Sequence, residues 1–191
     1  MNNVNNKKPK ARKDHICSFC TGTINKGEVY NSQTNTYEGE IYVWKSHIKC
    51  SEIAYSLRMF DDADEGVTSE DFVEYINNEF YEIDESKPSY NHKQFLDRLD
   101  VVIAYYESLK ALAPKVSSEQ RVIIMHTCGL DQSNHQYRNR YILAADAAVP
   151  ADIKSLIEID VMAITDDPKN TAYLTKKGLK IALQIKYKLW L

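Results

Sequence analysis

The sequence contains no run of apolar residues long enough to cross a bilayer as a helix, which takes about 18 or more. Its first fifteen residues carry Lys and Asn where a secretory leader would need an apolar stretch, so a cytoplasmic protein with no membrane partner is expected. There is no Walker loop, no dinucleotide-binding glycine pattern and no metalloprotease motif, which removes the commonest nucleotide-dependent and zinc-hydrolase chemistries. Neither an internal repeat nor a Pro-rich linker divides the chain. Net charge is only -3, so the chain as a whole is no electrostatic magnet for nucleic acid. Cysteine is scarce: of the 4 present, three fall between positions 17 and 50 beside a suitably spaced histidine, which points to metal and away from a disulfide framework.

What is present is globular. The 191 residues are 43% hydrophobic and 27% charged, enough for one ordinary domain or two small ones. Charge is unevenly distributed. Lys7, Lys8, Lys10, Arg12 and Lys13 make residues 1–13 purely basic, and with almost no apolar content that stretch is expected to be a disordered tail. Between Asp61 and Glu85 the sign reverses, without a single Lys or Arg, as for a solvated helix face and its flanking loop.

Zinc takes four tetrahedral thiolate or imidazole ligands, and a structural site fills all four. Cys17-x2-Cys20 and His47-x2-Cys50 supply two chelating pairs with 26 residues between them. Thr21-Gly22 follows the first pair, where a glycine allows a tight reversal with backbone amides aimed at the thiolates. Residues 28–34 and 40–45 read as a β-hairpin, the second strand alternating Ile41, Val43 and Lys45 against Tyr42 and Trp44. Cys50, Ile53, Ala54, Leu57 and Phe60 recur at helical spacing, so the second pair opens a helix whose N-terminus favours negative charge. Knuckle, hairpin and ligand-bearing helix make a treble clef over residues 14–60, holding one structural Zn2+.

Residues 61–116 read as an acidic loop and a helical hairpin. Thr68 caps a helix with Asp71 three residues on and Phe72, Ile76 and Phe80 inward; a longer helix carries Leu99, Val102, Ile103, Tyr106 and Leu109 and is stopped by Pro114. In residues 117–191, Ser117 and Gln120 form a capping box for a helix ending near Gly129. Tyr137 to Leu143 fits a short strand. A helix from Pro150 with Ile153, Leu156 and Ile157 inward leads to a hairpin turning at Asp166 to Asn170, and Thr175 caps the last helix. The expected fold class is α+β: a finger docked on a mainly helical body.

The stretches His15-Ile16-Cys17-Ser18-Phe19-Cys20, Ile24-Asn25-Lys26-Gly27-Glu28, Gly39-Glu40-Ile41-Tyr42-Val43-Trp44 and His47-Ile48-Lys49-Cys50 are similar to the zinc finger of poly(ADP-ribose) polymerases, which recognises DNA ends. They resemble still more closely the N-terminal finger of small uncharacterised bacteriophage-encoded proteins. That likeness extends to Gly129-Leu130-Asp131, Tyr137-Arg138-Asn139-Arg140-Tyr141 and Tyr173-Leu174-Thr175-Lys176-Lys177-Gly178, and it implies a phage protein acting in a bacterial host cell. One departure matters for the polymerase likeness. Residues 14–60 hold four basic side chains (Lys26, Lys45, Lys49, Arg58) against five acidic ones (Asp14, Glu28, Glu38, Glu40, Glu52), so the finger alone offers no DNA-gripping surface.

The order helix, β-hairpin, Thr175-x2-Gly178 and closing helix resembles the second half of winged-helix regulators, which implies a groove-reading helix from Pro150. That helix carries Lys154 against Asp152, Glu158 and Asp160, a balance opposed to groove insertion. Phosphate contacts are better assigned to Lys7, Lys8, Lys10, Arg12 and Lys13, to Arg138 and Arg140, and to Lys176, Lys177 and Lys180. Catalysis is not expected: the one histidine available to a His-Asn-His nuclease, His47, is a zinc ligand, and Cys128, His126 and Asp131 lie too close in sequence to form nucleophile, base and orienter. The expected function is binding, foremost of nucleic acid or, as adaptor or inhibitor, of a host protein such as a defence factor through Asp61 to Glu85 or the aromatic-rich helices.

Overall fold

A computed structural model describes residues 2–37, 39–61, 63, 66–83, 94–144, 148–165 and 170–187. Among them lie six α-helices and three small antiparallel sheets, a mixed composition compatible with the α+β expectation. Contacts divide the chain into two units, Met1–Tyr106 and Glu107–Leu191.

In the first unit, β1 (Asn2–Lys7), β4 (Tyr30–Tyr37) and β5 (Glu40–His47) form a sheet in the order β1-β4-β5, while β2 (His15–Ile16) pairs with β3 (Thr23–Ile24). The N-terminal segment therefore departs from the expected disordered tail. Lys7 pairs with Ser32, Lys10 bridges to Val29, and Ala11 is buried with its N–H donating to Glu28 O at 2.8 Å. The physical reason is that apolar content gauges how much surface a segment can bury, whereas an edge strand needs only the backbone of its neighbour, and Asn and Lys suit an exposed edge.

α1 (Ile48–Ser56) follows β5 directly. α2 (Ser69–Ile83) opens on a reciprocal cap: Asp71 N–H donates to Thr68 Oγ1 at 3.1 Å, and Thr68 N–H to Asp71 Oδ2 at 2.9 Å. It buries Phe72, Ile76 and Phe80 as its spacing requires. α3 (Phe95–Leu112) ends in a 3-10 turn containing Pro114, and the boundary between the units falls within it. Arg98 donates to Asn77 at 2.8 Å and Tyr106 to the buried Glu79 at 3.2 Å, tying α3 to α2. Phe19, between the first two cysteines, stacks on Phe72 at 4.9 Å and meets Trp44 edge-on at 5.2 Å, so the knuckle is anchored in the aromatic core.

In the second unit, α4 (Ser118–Cys128) has the expected capping box, with Gln120 N–H donating to Ser117 Oγ and Ser117 N–H to Gln120 Oε1, and it ends on Gly129 in the left-handed region at φ 82. The strand expected over Tyr137 to Leu143 is shorter, β6 (Tyr141–Ile142). Before it, the Asn139 side chain accepts from Leu174 N–H at 2.8 Å and donates to Leu174 O at 2.9 Å, standing in for a strand backbone. α5 (Ala151–Glu158) buries Ile153 and Leu156. β7 (Met162–Ile164) and β8 (Thr171–Leu174) pair as a hairpin whose tip, residues 166–169, lies outside the described residues. The sheet order is β6-β8-β7.

α6 (Lys176–Tyr187) starts where the sequence places it. Thr175 Oγ1 accepts from Gly178 N–H at 3.1 Å and donates to Asp160 O at 2.7 Å. A Cβ on Gly178 would stand 2.1 Å from Val161 O, so the Thr175-x2-Gly178 pattern combines a cap with a close backbone approach. No helix among the described residues is long and apolar enough to cross a membrane.

Candidate metal centre

Cys17, Cys20, His47 and Cys50 converge: their ligand atoms all lie within 4.8 Å of one another. His47 Nδ1 is 3.4 Å from Cys20 Sγ and 3.8 Å from Cys50 Sγ. Tetrahedral zinc, with bonds of about 2.3 Å to sulfur and 2.0–2.1 Å to nitrogen, spaces its sulfur and nitrogen ligands roughly 3.6 Å apart. The two edges straddle that value. All three cysteines are buried, at 0%, 4% and 2% exposure, and no other polar ligand is needed to complete four.

Local structure explains the convergence. Cys17 N–H donates to Gly22 O at 2.8 Å and Thr21 N–H to Cys17 O at 2.9 Å, folding the knuckle back between β2 and β3. The left-handed residue is Thr21, at φ 56, rather than the glycine. Gly22 is needed for proximity instead, since a Cβ there would meet Cys20 Sγ at 3.3 Å and His47 Cε1 at 3.7 Å. Ser18 fastens the knuckle to β5, its N–H donating to Lys45 O at 2.7 Å and its hydroxyl accepting Lys45 N–H at 3.2 Å. His47 is the N-cap residue of α1, which puts Cys50 in the first turn, where the helix dipole favours thiolate.

The far side of the imidazole is also held. Nε2 lies 3.2 Å from Thr23 O and 3.8 Å from Glu28 Oε1, so the N–H of Nε2 is directed outward and the Nδ1 lone pair faces the sulfurs. Neither partner was legible from the ligand spacing, because both reach His47 only through the β2–β3 fold. With the sulfurs this close, their protonation is interdependent. Hydrogen bonds from Cys20 and Cys50, then from the backbone N–H groups of Cys20 and His47, pull the Cys17 thiol far below its ordinary range. The same contacts with Cys17 push Cys20 and Cys50 up. A dication bound there would convert that competition into three thiolates, the protonation state a zinc site requires.

The residues expected to meet phosphate fall into two groups. Lys7, Lys8, Lys10, Arg12 and Lys13 are exposed on the first unit. The segment carrying them is stitched to the turn that contains Glu28: Ala11 N–H donates to Glu28 O, Gly27 N–H to Ala11 O at 2.8 Å, and Tyr30 N–H to Pro9 O at 3.2 Å. Counting residues 2–60 together, nine basic side chains now stand against five acidic ones, reversing the balance of residues 14–60 alone.

Two of the other group, Arg138 and Lys177, are engaged within the second unit. Arg138 donates to His126 O, at 2.9 Å from Nε and 2.6 Å from a terminal nitrogen, and lies over the Tyr137 ring at 5.3 Å. Lys177 Nζ donates to Ile159 O at 2.8 Å, beyond the end of α5. Arg140 and Lys176 are exposed, and Lys180 is partly so. His126 Nδ1 sits 2.8 Å from Asp131 Oδ2, which lowers the Asp131 carboxyl. Cys128 is buried, donating to Ile124 O at 3.3 Å, and burial raises its thiol.

No protein-family model, curated protein or solved structure matches the chain.

Proposed function

We propose that this is a zinc protein whose metal is structural and whose activity is association with nucleic acid through the N-terminal basic strand. In this reading β2–β3, β4–β5 and α1 make a treble clef closed by Zn2+ on Cys17, Cys20, His47 and Cys50. The observation that carries it is the ordering of Lys7, Lys8, Lys10, Arg12 and Lys13 against the turn that supports His47, so that five exposed cations stand on a rigid, metal-fastened piece. Lys7 also shares a sheet face with Ser32 and Lys45, a row suited to phosphate and sugar contacts that carry no sequence information. The helix–hairpin–helix order of α5 to α6 supports a winged-helix reading of the second unit, acting as a docking module because α5 is acidic.

Elemental analysis of the purified protein should give one equivalent of zinc, lost on changing Cys17 or Cys50 to Ser. Affinity for DNA should fall steeply with salt, log K against log salt declining by ~0.9 for each phosphate neutralised on duplex. Negligible binding at low salt, or binding indifferent to salt, would remove the nucleic-acid reading. A second reading, docking of an acidic surface to a host protein, is favoured by α2, which exposes Tyr75 and Tyr81 beside Glu74 and Glu82. It calls for a partner captured from host lysate whose retention depends on residues 70–82.

A further inference from the structure

We propose that the cleft over the inner face of β4 and β5 is a binding site for a nucleobase. The register pairs Gln33 with Trp44 and Asn35 with Tyr42, so these four side chains share one face of the sheet. A cleft of about 420 Å³ lies over them, walled by Phe19, Tyr55 and Phe60 and closed on one side by residues 66–70. Its volume falls in the range of small-molecule sites.

Two buried polar atoms on its floor have no hydrogen-bond partner among the described residues: the Nε1–H of Trp44 and the Oδ1 of Asn35, a side chain only 1% exposed. Folded proteins rarely leave such groups unpaired, because each forfeits its bonds to water and gains none. Here the pair lines a cavity, so a ligand could satisfy both. Its chemistry follows from what the cleft offers. Trp44 requires an acceptor and Asn35 a donor, between aromatic rings that present π faces. The one charged residue lining the cleft is Glu70, with no cation, which excludes a phosphate from its floor. A quaternary ammonium would suit the rings and Glu70 but would bring no acceptor to Trp44. A hydrocarbon would leave both groups unpaired. A flat heteroaromatic ring with an acceptor and a donor on one edge meets every requirement, and that is the description of a nucleobase.

The base could come from a free nucleoside or from a single strand whose phosphates follow the basic segment; the second source rests on the nucleic-acid reading above. The zinc-loaded full chain decides, with Trp190→Phe leaving Trp44 as the sole indole of the 2 in the sequence. Adenosine, guanosine, cytidine and uridine are titrated by fluorescence, alongside a short single-stranded oligonucleotide, its abasic counterpart and tetramethylammonium. A saturable change with at least one nucleoside, or with the base-bearing strand but not the abasic one, is expected. Asn35→Leu should weaken it about fivefold or more. Tyr55→Ala should do likewise through lost stacking, and with Tyr55 57% exposed it leaves folding intact. The proposal is overturned if no base-bearing probe saturates, if tetramethylammonium alone does, or if both variants bind as the parent does. An abasic strand that still binds with a salt slope would then leave the nucleic-acid reading standing, whereas nucleoside binding without strand affinity would remove that reading and keep the cleft.

Discussion

Lys7, Lys8, Lys10, Arg12 and Lys13 are exposed on the first unit, whereas Arg138 and Lys177 in the second unit end on backbone carbonyls at or just past the C-termini of α4 and α5. Lys186 does the same, donating to Leu130 O at 2.8 Å. In sequence the two groups look alike. In structure one is a surface and the other a set of fastenings, because a cation near unsatisfied carbonyls at a helix end finds both hydrogen bonds and a favourable dipole there. The first unit brings its turns together around four residues that could hold a metal ion; the second does so with caps and close backbone contacts. A count of basic residues therefore says little about nucleic acid until the position of each relative to a helix end is known.

The largest expected effect separates the two fastening schemes. Structural zinc sites contribute roughly 10–16 kcal/mol of apparent binding energy near neutral pH, and that energy is folding energy. Chelation, or Cys50→Ser, should abolish amide protection through β2 to β5 and α1 while α4, α5 and α6 keep theirs. Hydrogen exchange followed by peptide mass analysis reads this directly, and uniform loss or uniform retention would contradict the comparison. The converse is Gly178→Ala, which forces a Cβ into Val161 O at a nominal 2.1 Å. It should destabilise the second unit by about 3 kcal/mol, the upper end for overpacking, and leave zinc stoichiometry unchanged.

Legibility differed in the same way between the units. The four ligands, the Ser117/Gln120 box, the Thr68 and Thr175 caps and the order of α5, β7, β8 and α6 all rest on local chemistry, and each appears where its residues lie. Whatever depends on pairing across the chain was hidden. No pattern within residues 2–7 specifies β4 as a partner: Asn5, Asn6 and Lys7 are exposed, and the pairing with β4 is a backbone ladder. The outward face of β5 carries Ile41 at 73% and Val43 at 50% exposure, while Trp44 turns inward, an assignment that alternation leaves undetermined by one residue. The neighbours of His47 Nε2 were hidden for the same reason: Thr23 and Glu28 are ordinary residues until the knuckle folds.

A smaller effect tests the cations themselves. Arg138→Ala should cost about 1–2 kcal/mol of stability through the lost bonds to His126 O, with no change in the salt dependence of DNA binding. Changing Lys8, Lys10 and Arg12 together to Ala should leave stability within about 0.5 kcal/mol and reduce the salt slope by about 3. Denaturant melts and salt titrations on the two variants give four readings. The comparison fails if Arg138→Ala flattens the salt slope or if the triple variant unfolds.

The smallest effect concerns strain. The second unit gives its left-handed positions to Gly129, Asp160 and Asn170, residue types that tolerate them, but the knuckle gives one to Thr21 at φ 56. A β-branched residue in that region is strained by about 1 kcal/mol or more, so something must hold it, and here the turn is flanked by Cys17 and Cys20, two of the four residues that could hold a metal ion. Thr21→Asn keeps a polar side chain while easing the backbone, and it should raise stability by about 0.5–1 kcal/mol in the zinc-loaded protein. The same substitution should raise zinc affinity, because less binding energy is diverted into holding the turn. Competition against a chelator of known affinity measures the second quantity and a denaturant melt the first. If stability rises without affinity, the unbound knuckle already carries the strain, and the turn is formed before the metal rather than by it.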